Sequence, residues 1–304
     1  LEKLFKFPFR AMAVDCELQI FAGDQAQASS LATRAIAEIQ RIEAKFSRYQ
    51  GTSVIARINA NAGEVDGIDV DDETAALLDY AGVIFQESAG LFDVTSGVLR
   101  SVWDFRSGRV PSERQVAELL PLIGWQQVEW NRPRIRLPHK GMQLDFGGFG
   151  KEYAVDRAAG LLAADCGLAG LINLGGDVRV FGDRPDSKPW IIGIAHPRIK
   201  SALIASIPLI SGSIATSGDY ERCIEQAGVR YSHILSPYTG WPVLGFQSVS
   251  VSSPSCLIAG SISTTAMLKG EQAGREYLDL VGIPALIVSL CGETIVLAGE
   301  LDRA

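Results

Sequence analysis

Apolar residues recur along this chain with two different periods. Between residues 28 and 46, Leu31, Ile36, Ile39, Ile42 and Phe46 fall at three- to four-residue intervals, the spacing of one face of an amphipathic helix. A second stripe, Leu77, Leu78, Ala81, Ile84 and Phe85, predicts a helix over 71–87 with acids in its first turn. Residues 47–61 between them are polar and read as a loop, and 18–22 as a strand. Ser112 is placed to cap a short helix through Leu120, and 128–130 with 135–137 read as a hairpin. A glycine-rich bend then leads into a helix over 151–164 that buries Ala154, Val155, Ala158, Leu161 and Leu162.

Past Gly170 the texture changes to strands and turns. Segments 171–174, 178–181, 190–195, 203–210, 213–217, 229–235 and 247–252 are strand candidates. Helices over 259–267 and 271–280, then strands over 285–290 and 294–298, complete the chain. Helices and strands mix without strict alternation, which favours α+β over a doubly wound sheet. With no repeat, low-complexity tract or linker, the 304 residues are expected to form a single domain, 1–304.

Composition narrows the classes. Hydrophobic residues make up 47% and charged residues 21%, a globular profile rather than a disordered one. The net charge of −7 argues against binding to a nucleic-acid backbone, which needs a basic surface. No apolar run reaches the roughly 18 residues of a membrane span. The first ten residues are too short and interrupted for a secretory signal, so a cytoplasmic location is expected unless a leader precedes them. The five cysteines, at 16, 166, 223, 256 and 291, form no C-x-x-C pair, which removes a zinc ribbon or thioredoxin-like motif. Most are expected to be buried small hydrophobes.

The most informative stretch is Asp145-Phe-Gly-Gly-Phe-Gly-Lys151-Glu-Tyr-Ala-Val-Asp156. Glycines ahead of a helix let the backbone approach a ligand, and the helix N-terminus favours an anion. The pattern is neither a Walker A loop nor G-x-G-x-x-G, and a plain strand-to-helix turn is the alternative. Leu174-Gly175-Gly176-Asp177 reads as a turn. Residues 216–222 read as a solvated loop with a capping role for Ser217 or Asp219. Of three histidines, His139 and His196 are expected in loops, His139 exposed. His233, where a strand runs into a turn, is either structural or a proton acceptor. No G-x-S-x-G elbow or H-E-x-x-H occurs.

Together with Phe46-Ser-Arg-Tyr49, Ser53, Asn59, Gly90-Leu-Phe-Asp93-Val-Thr95, Trp103-Asp-Phe105 and residues 233–240 and 259–270, these segments resemble, in order, the ApbE family, the FAD:protein FMN transferases. The resemblance implies an ApbE-like, T-fold-related α+β architecture, a mixed sheet with packed helices in one compact unit of two subdomains. It implies FAD as substrate, Mg²⁺, transfer of FMN to a Thr or Ser hydroxyl of an acceptor protein, and release of AMP. By the same resemblance Met12, Tyr49, Leu91, Phe92, Asp93, Asp145, Lys151 and Ile234 contact FAD. His233 is the base, and Arg222 and Arg230 neutralise phosphate charge. Family metal ligands map to the carbonyls of Gly148 and Ser263 and to Thr264.

One departure stands out. The family's Ala-Asp-x-x-x-Thr is here Ala259-Gly260-Ser261-Ile262-Ser263-Thr264, so Gly260 occupies the place of the metal-binding acid. Three readings follow: Asp177 or Asp219 supplies the carboxylate, the pyrophosphate itself supplies enough charge, or the chain binds FAD without transferring FMN. Hydrolysis of FAD to FMN and AMP is a related alternative. Glu152 stands where the family often has glycine, a change expected to matter little on a helix.

Overall fold

The computed structural model describes residues 2–164 and 167–297. Strands β1 (Lys3–Ala11) and β2 (Val14–Ala22) form a hairpin turning at Met12 and Ala13. In β1, Phe5, Phe7 and Phe9 alternate with Lys6, Pro8 and Arg10, the period of a strand. Pro8 is tolerated because β1 lies at a sheet edge. Helix α1 (Gln25–Phe46) follows, its first turn held by the Asp24 carboxylate, which accepts from the Gln27 amide at 2.8 Å. The expected 47–61 loop contains a short helix, α2 (Val54–Ala60), capped by Ser53. Next come β3 (Ile68–Asp69), α3 (Asp72–Glu87), a 3-10 segment at Val94–Ser101, and α4 (Glu113–Ala117). Helix α4 opens on a Ser112–Gln115 capping box but ends before the predicted Leu120; Leu120–Leu122 form a 3-10 turn instead, and Pro121 has no N–H to bond back to the Ala117 carbonyl and continue the α-helix.

Strands β4 (Glu129–Asn131) and β5 (Arg134–Arg136) join β3 in a small sheet. Helix α5 (Gly150–Ala163) leads to β6 (Gly170–Leu174), β7 (Asp177–Phe181), β8 (Trp190–Ala195), β9 (Leu203–Leu209) and β10 (Gly212–Gly218). A small hairpin, β11 (Cys223–Gln226) and β12 (Val229–Ser232), precedes β13 (Phe246–Ser253). Helices α6 (Cys256–Lys269) and α7 (Glu271–Val281) and strands β14 (Ala285–Ser289) and β15 (Thr294–Leu297) follow. The expected last strand reached Ala298, which lies outside the described residues.

The main sheet has eight strands in the order β1-β2-β6-β7-β10-β13-β14-β15. The α+β class holds, and every pairing in this sheet is antiparallel rather than mixed. Successive side chains of a strand point to opposite faces, and both faces are covered. Cys16, Leu18 and Ile20 of β2 and Ala285 and Ile287 of β14 belong to the core under α1, α5 and α6. Phe21, Leu286 and Val288 belong to a second core, roofed by Trp190, Ile192 and Ile207 of the β8–β9 hairpin. Coverage on both sides explains why these strands read as near-continuous apolar runs. A third cluster, Val98, Leu99, Trp103, Ile123, Ile224 and Leu235, ties the 3-10 segment to the β11–β12 hairpin.

Two expectations change. The strand expected over 213–217 is present and runs to Gly218 as β10, between β7 and β13, so Thr216 and Ser217, which the 216–222 reading placed in a solvated loop, lie within the sheet. Their hydroxyls bond to neighbouring hydroxyls, so polarity here does not mean contact with water. Of the described cysteines, Cys16 and Cys256 are buried, Cys223 is half-buried and Cys291 exposed; Cys166 lies outside the described residues. No helix among the described residues is long and apolar enough to cross a membrane.

Candidate functional site

The glycine-rich bend is held from both sides. The Asn59 amide nitrogen donates to the Leu144 carbonyl at 3.0 Å, and its oxygen accepts from the Leu144 amide at 2.7 Å. The Asp145 amide donates to the Val94 carbonyl at 2.8 Å, and the carboxylate accepts from the Gly147 amide at 2.8 Å and from Arg48 at 3.1 Å. Arg48 also donates to the Gly97 carbonyl and to Gln143. Gly147 and Gly148 remain exposed at the turn, and no side chain caps the start of α5.

Lys151 emerges from that first turn and pairs with Asp177, only 2% exposed. Asp177 reaches this place because Gly175 and Gly176, at φ +61° and +99°, close a two-residue hairpin between β6 and β7. Burial disfavours a charged lysine, but the facing Asp177 and Glu152 outweigh it and hold Lys151 firmly protonated.

Glu152, the next residue, points into the interior and is 7% exposed, with Oε2 buried and unpartnered among the described residues. Burial, then the negative charge of Asp177, pushes its carboxyl well above the ordinary carboxylate range. It lies against Gly260 of α6: a Cβ there would come within 2.6 Å of Glu152 Cγ and 2.8 Å of its Oε1. The sequence placed no weight on Glu152; packing makes position 152 decisive for what position 260 can hold.

Ser263 and Thr264 stand three and four residues beyond Gly260, on the same face of α6. The Ser217 hydroxyl of β10 lies 2.8 Å from both hydroxyls, and Ser263 donates to the Gly260 carbonyl at 3.0 Å. Of the acids considered as replacements, Asp219 is clamped by both terminal nitrogens of Arg198, at 2.6 and 2.7 Å. Asp177 is committed to Lys151. No group of three or more His, Cys, Asp or Glu is arranged for a metal among the described residues.

His233 falls in a bend just past β12, not within the strand. Its Nδ1 is buried and unpartnered among the described residues. Desolvation, reinforced by Arg100, Arg222 and Lys151, pushes its pKa down to about 3, so the imidazole is neutral near pH 7. Arg100, which sequence reasoning missed, donates to the His233 carbonyl at 3.1 Å and feels the charges of Asp145 and Arg222. Arg230, by contrast, pairs across the small hairpin with Glu225 at 2.5 Å.

The remaining predicted residues divide. Tyr49 is 81% exposed, its ring under the Arg48 guanidinium at 5.7 Å, a free aromatic face beside Asp145. Met12 sits in the β1–β2 turn with φ +50°, and Ile234 is buried next to His233. Leu91 is half-buried, and Phe92 is buried against Phe149 with ring centroids 6.3 Å apart. Both oxygens of Asp93 are engaged, by Thr95 and by the Trp125 amide at 3.0 Å, so its side chain builds the loop. His139 is exposed, as expected, and His196 accepts two backbone amides in its own turn.

Lys151, Arg100 and Arg222 thus gather near His233, and the Ser217, Ser263 and Thr264 hydroxyls cluster beside α6. The ApbE family matches residues 12–287, and the chain belongs to that family. A Treponema pallidum protein named FAD:protein FMN transferase is 30% identical over 287 residues, covering 87% of this chain and 78% of its own. The crystal structure of an ApbE protein from Thermotoga maritima superposes with a TM-score of 0.89 at 32% identity, covering 97% of each chain. The apo Pseudomonas stutzeri flavinyl transferase ApbE superposes at 0.84 with 28% identity, covering 99% of this chain and 96% of the other.

Proposed function

We propose that this protein is an FAD:protein FMN transferase that uses Mg²⁺. The observation that carries the reading is the neutral, half-buried His233, whose Nδ1 is buried and unpartnered among the described residues and which lies near Lys151, Arg100 and Arg222. In this reading His233 takes the proton of an incoming Thr or Ser hydroxyl. The freed oxygen attacks the phosphorus of the FMN half of FAD, the pyrophosphate P–O bond breaks, and AMP leaves with the bridging oxygen. Lys151, Arg100 and Arg222 balance the negative charge that the transferred group spreads over its oxygens, the main demand of phosphoryl transfer. Tyr49 offers a face for the flavin ring, with Met12, Leu91, Phe92 and Ile234 bounding the recess and Asp93 and Asp145 fixing its loops.

The donors available to a cation are all hard oxygens: the Thr264 hydroxyl and the carbonyls of Gly148 and Ser263, beside the unpartnered Oε2 of Glu152. That chemistry fits Mg²⁺, which when bound would neutralise pyrophosphate charge. Incubating the purified protein with FAD, Mg²⁺ and a flavin-acceptor protein should place FMN covalently on a Thr or Ser and release AMP. Absence of AMP with every metal tried would overturn the reading; AMP release without acceptor labelling would mean hydrolysis instead.

A further inference from the structure

Glu152 is buried on α5 with an oxygen that nothing among the described residues satisfies. A carboxylate in that state is costly unless a proton or a cation joins it. Its rotamer exists only because position 260 has no side chain, since even a Cβ there would overlap its Cγ at 2.6 Å. Its carboxylate therefore fills the space above the α6 turn that leads to Ser263 and Thr264, hydroxyls already gathered around Ser217. Of the other acids nearby, Asp177 and Asp219 are held by Lys151 and Arg198 and Asp156 by Arg179 and the first amides of α6, while Glu221, which feels Lys151 and Asp177, is exposed just past β10. Glu152 is the buried carboxylate among them with an oxygen that nothing in the described residues engages.

We infer that Glu152 is the carboxylate ligand of a divalent cation, acting with Thr264, and that the acid of this site has moved from α6 to α5 across the helix contact. One helix has lost a side chain and its neighbour has filled the resulting space with the same functional group. A Mg²⁺ bound to substrate phosphates needs only one or two such carboxylates. This inference rests on the metal-dependent reading above, and the test separates the two.

Mn²⁺, which favours the same oxygen donors, is titrated into the intact protein with FAD present, and the free ion is followed by electron paramagnetic resonance. Wild type, Glu152→Gln and the exchange variant Glu152→Gly/Gly260→Asp are compared, with circular dichroism melts checking the fold. Flavin quenching without metal gives FAD affinity. Glu152→Gln should weaken Mn²⁺ binding by about tenfold or more while metal-free FAD affinity is retained, and the exchange variant should recover Mn²⁺ affinity. Equal Mn²⁺ binding by wild type and Glu152→Gln would overturn Glu152 as a ligand and leave metal dependence standing. No Mn²⁺ binding by wild type would overturn both. If the exchange variant does not fold, the nearly isosteric Glu152→Gln decides alone.

Discussion

The two faces of the main sheet are built on opposite terms. Under the β8–β9 hairpin the buried side chains are almost all apolar, with Phe21 edge-on to Trp190 at 5.9 Å and Arg184 covering Trp190 from outside at 4.6 Å. Under α5 and α6 the core is also apolar, but it encloses Lys151, Glu152 and Asp177, with Asp156 tying Arg179 to the start of α6. Buried charge costs stability unless it is paired. The fold tolerates that cost on one face because the other face supplies cohesion without it.

The sharpest way to test this division is to remove function without touching the core. His233→Ala should lower FMN transfer by about 10²–10⁴-fold, the usual worth of a general base, with melting temperature and FAD affinity nearly unchanged. A collapse of FAD affinity instead would make His233 a structural residue. The converse variant is Trp190→Ala on the hairpin-covered face. It should cost about 3–5 kcal/mol in urea unfolding while transfer per folded molecule stays at the wild-type rate. If transfer falls with stability, the two faces are coupled and the division fails.

Asn59→Ala probes where the two demands meet. The Leu144 amide and carbonyl would both lose their partner, at about 1–3 kcal/mol. Asp145 follows directly in the chain, so FAD affinity should fall along with stability. A loss of stability alone would mean that the bend keeps its shape through the Val94 contact and Arg48.

Much of this was legible in the sequence, and the gaps have physical causes. Helix periodicity located α1 and α3 because each needs one long apolar face, and Asp145 and Lys151 were picked out because glycines ahead of a helix let the backbone approach a ligand and because the stretch carries the family resemblance. β1 was missed because its alternating Phe residues flank a proline that only an edge strand accepts. α2 is too short for periodicity to register. The 216–222 segment looked solvated because its hydroxyls carry no mark of the partners they meet on α6 and β13. Glu152 was dismissed for a similar reason: helix propensity judges a residue by its own turn, whereas the meaning of Glu152 lies in Gly260 on another helix.

The smallest effect is also the most specific to the polar face. His233 has an ordinary pKa of 6.5 and is held at about 3 in the folded protein by burial and by Arg100, Arg222 and Lys151. Between those values the unfolded chain binds a proton that the native state does not. The histidine therefore contributes a stability that rises with pH from 3 to 6.5 and is level above it. One proton corresponds to a slope of about 1.4 kcal/mol per pH unit at most. Because acidic residues also titrate in this range, the quantity to measure is the difference between wild type and His233→Ala in urea unfolding at several pH values. That difference should be constant above pH 6.5 and shift steadily toward the variant as the pH falls. Trp190→Ala should show no such drift, since the described side chains it packs with beneath the β8–β9 hairpin are apolar. A flat difference for His233→Ala would mean that its imidazole is protonated as readily in the folded protein as in the unfolded chain, and that burial and the neighbouring cations do not set its titration.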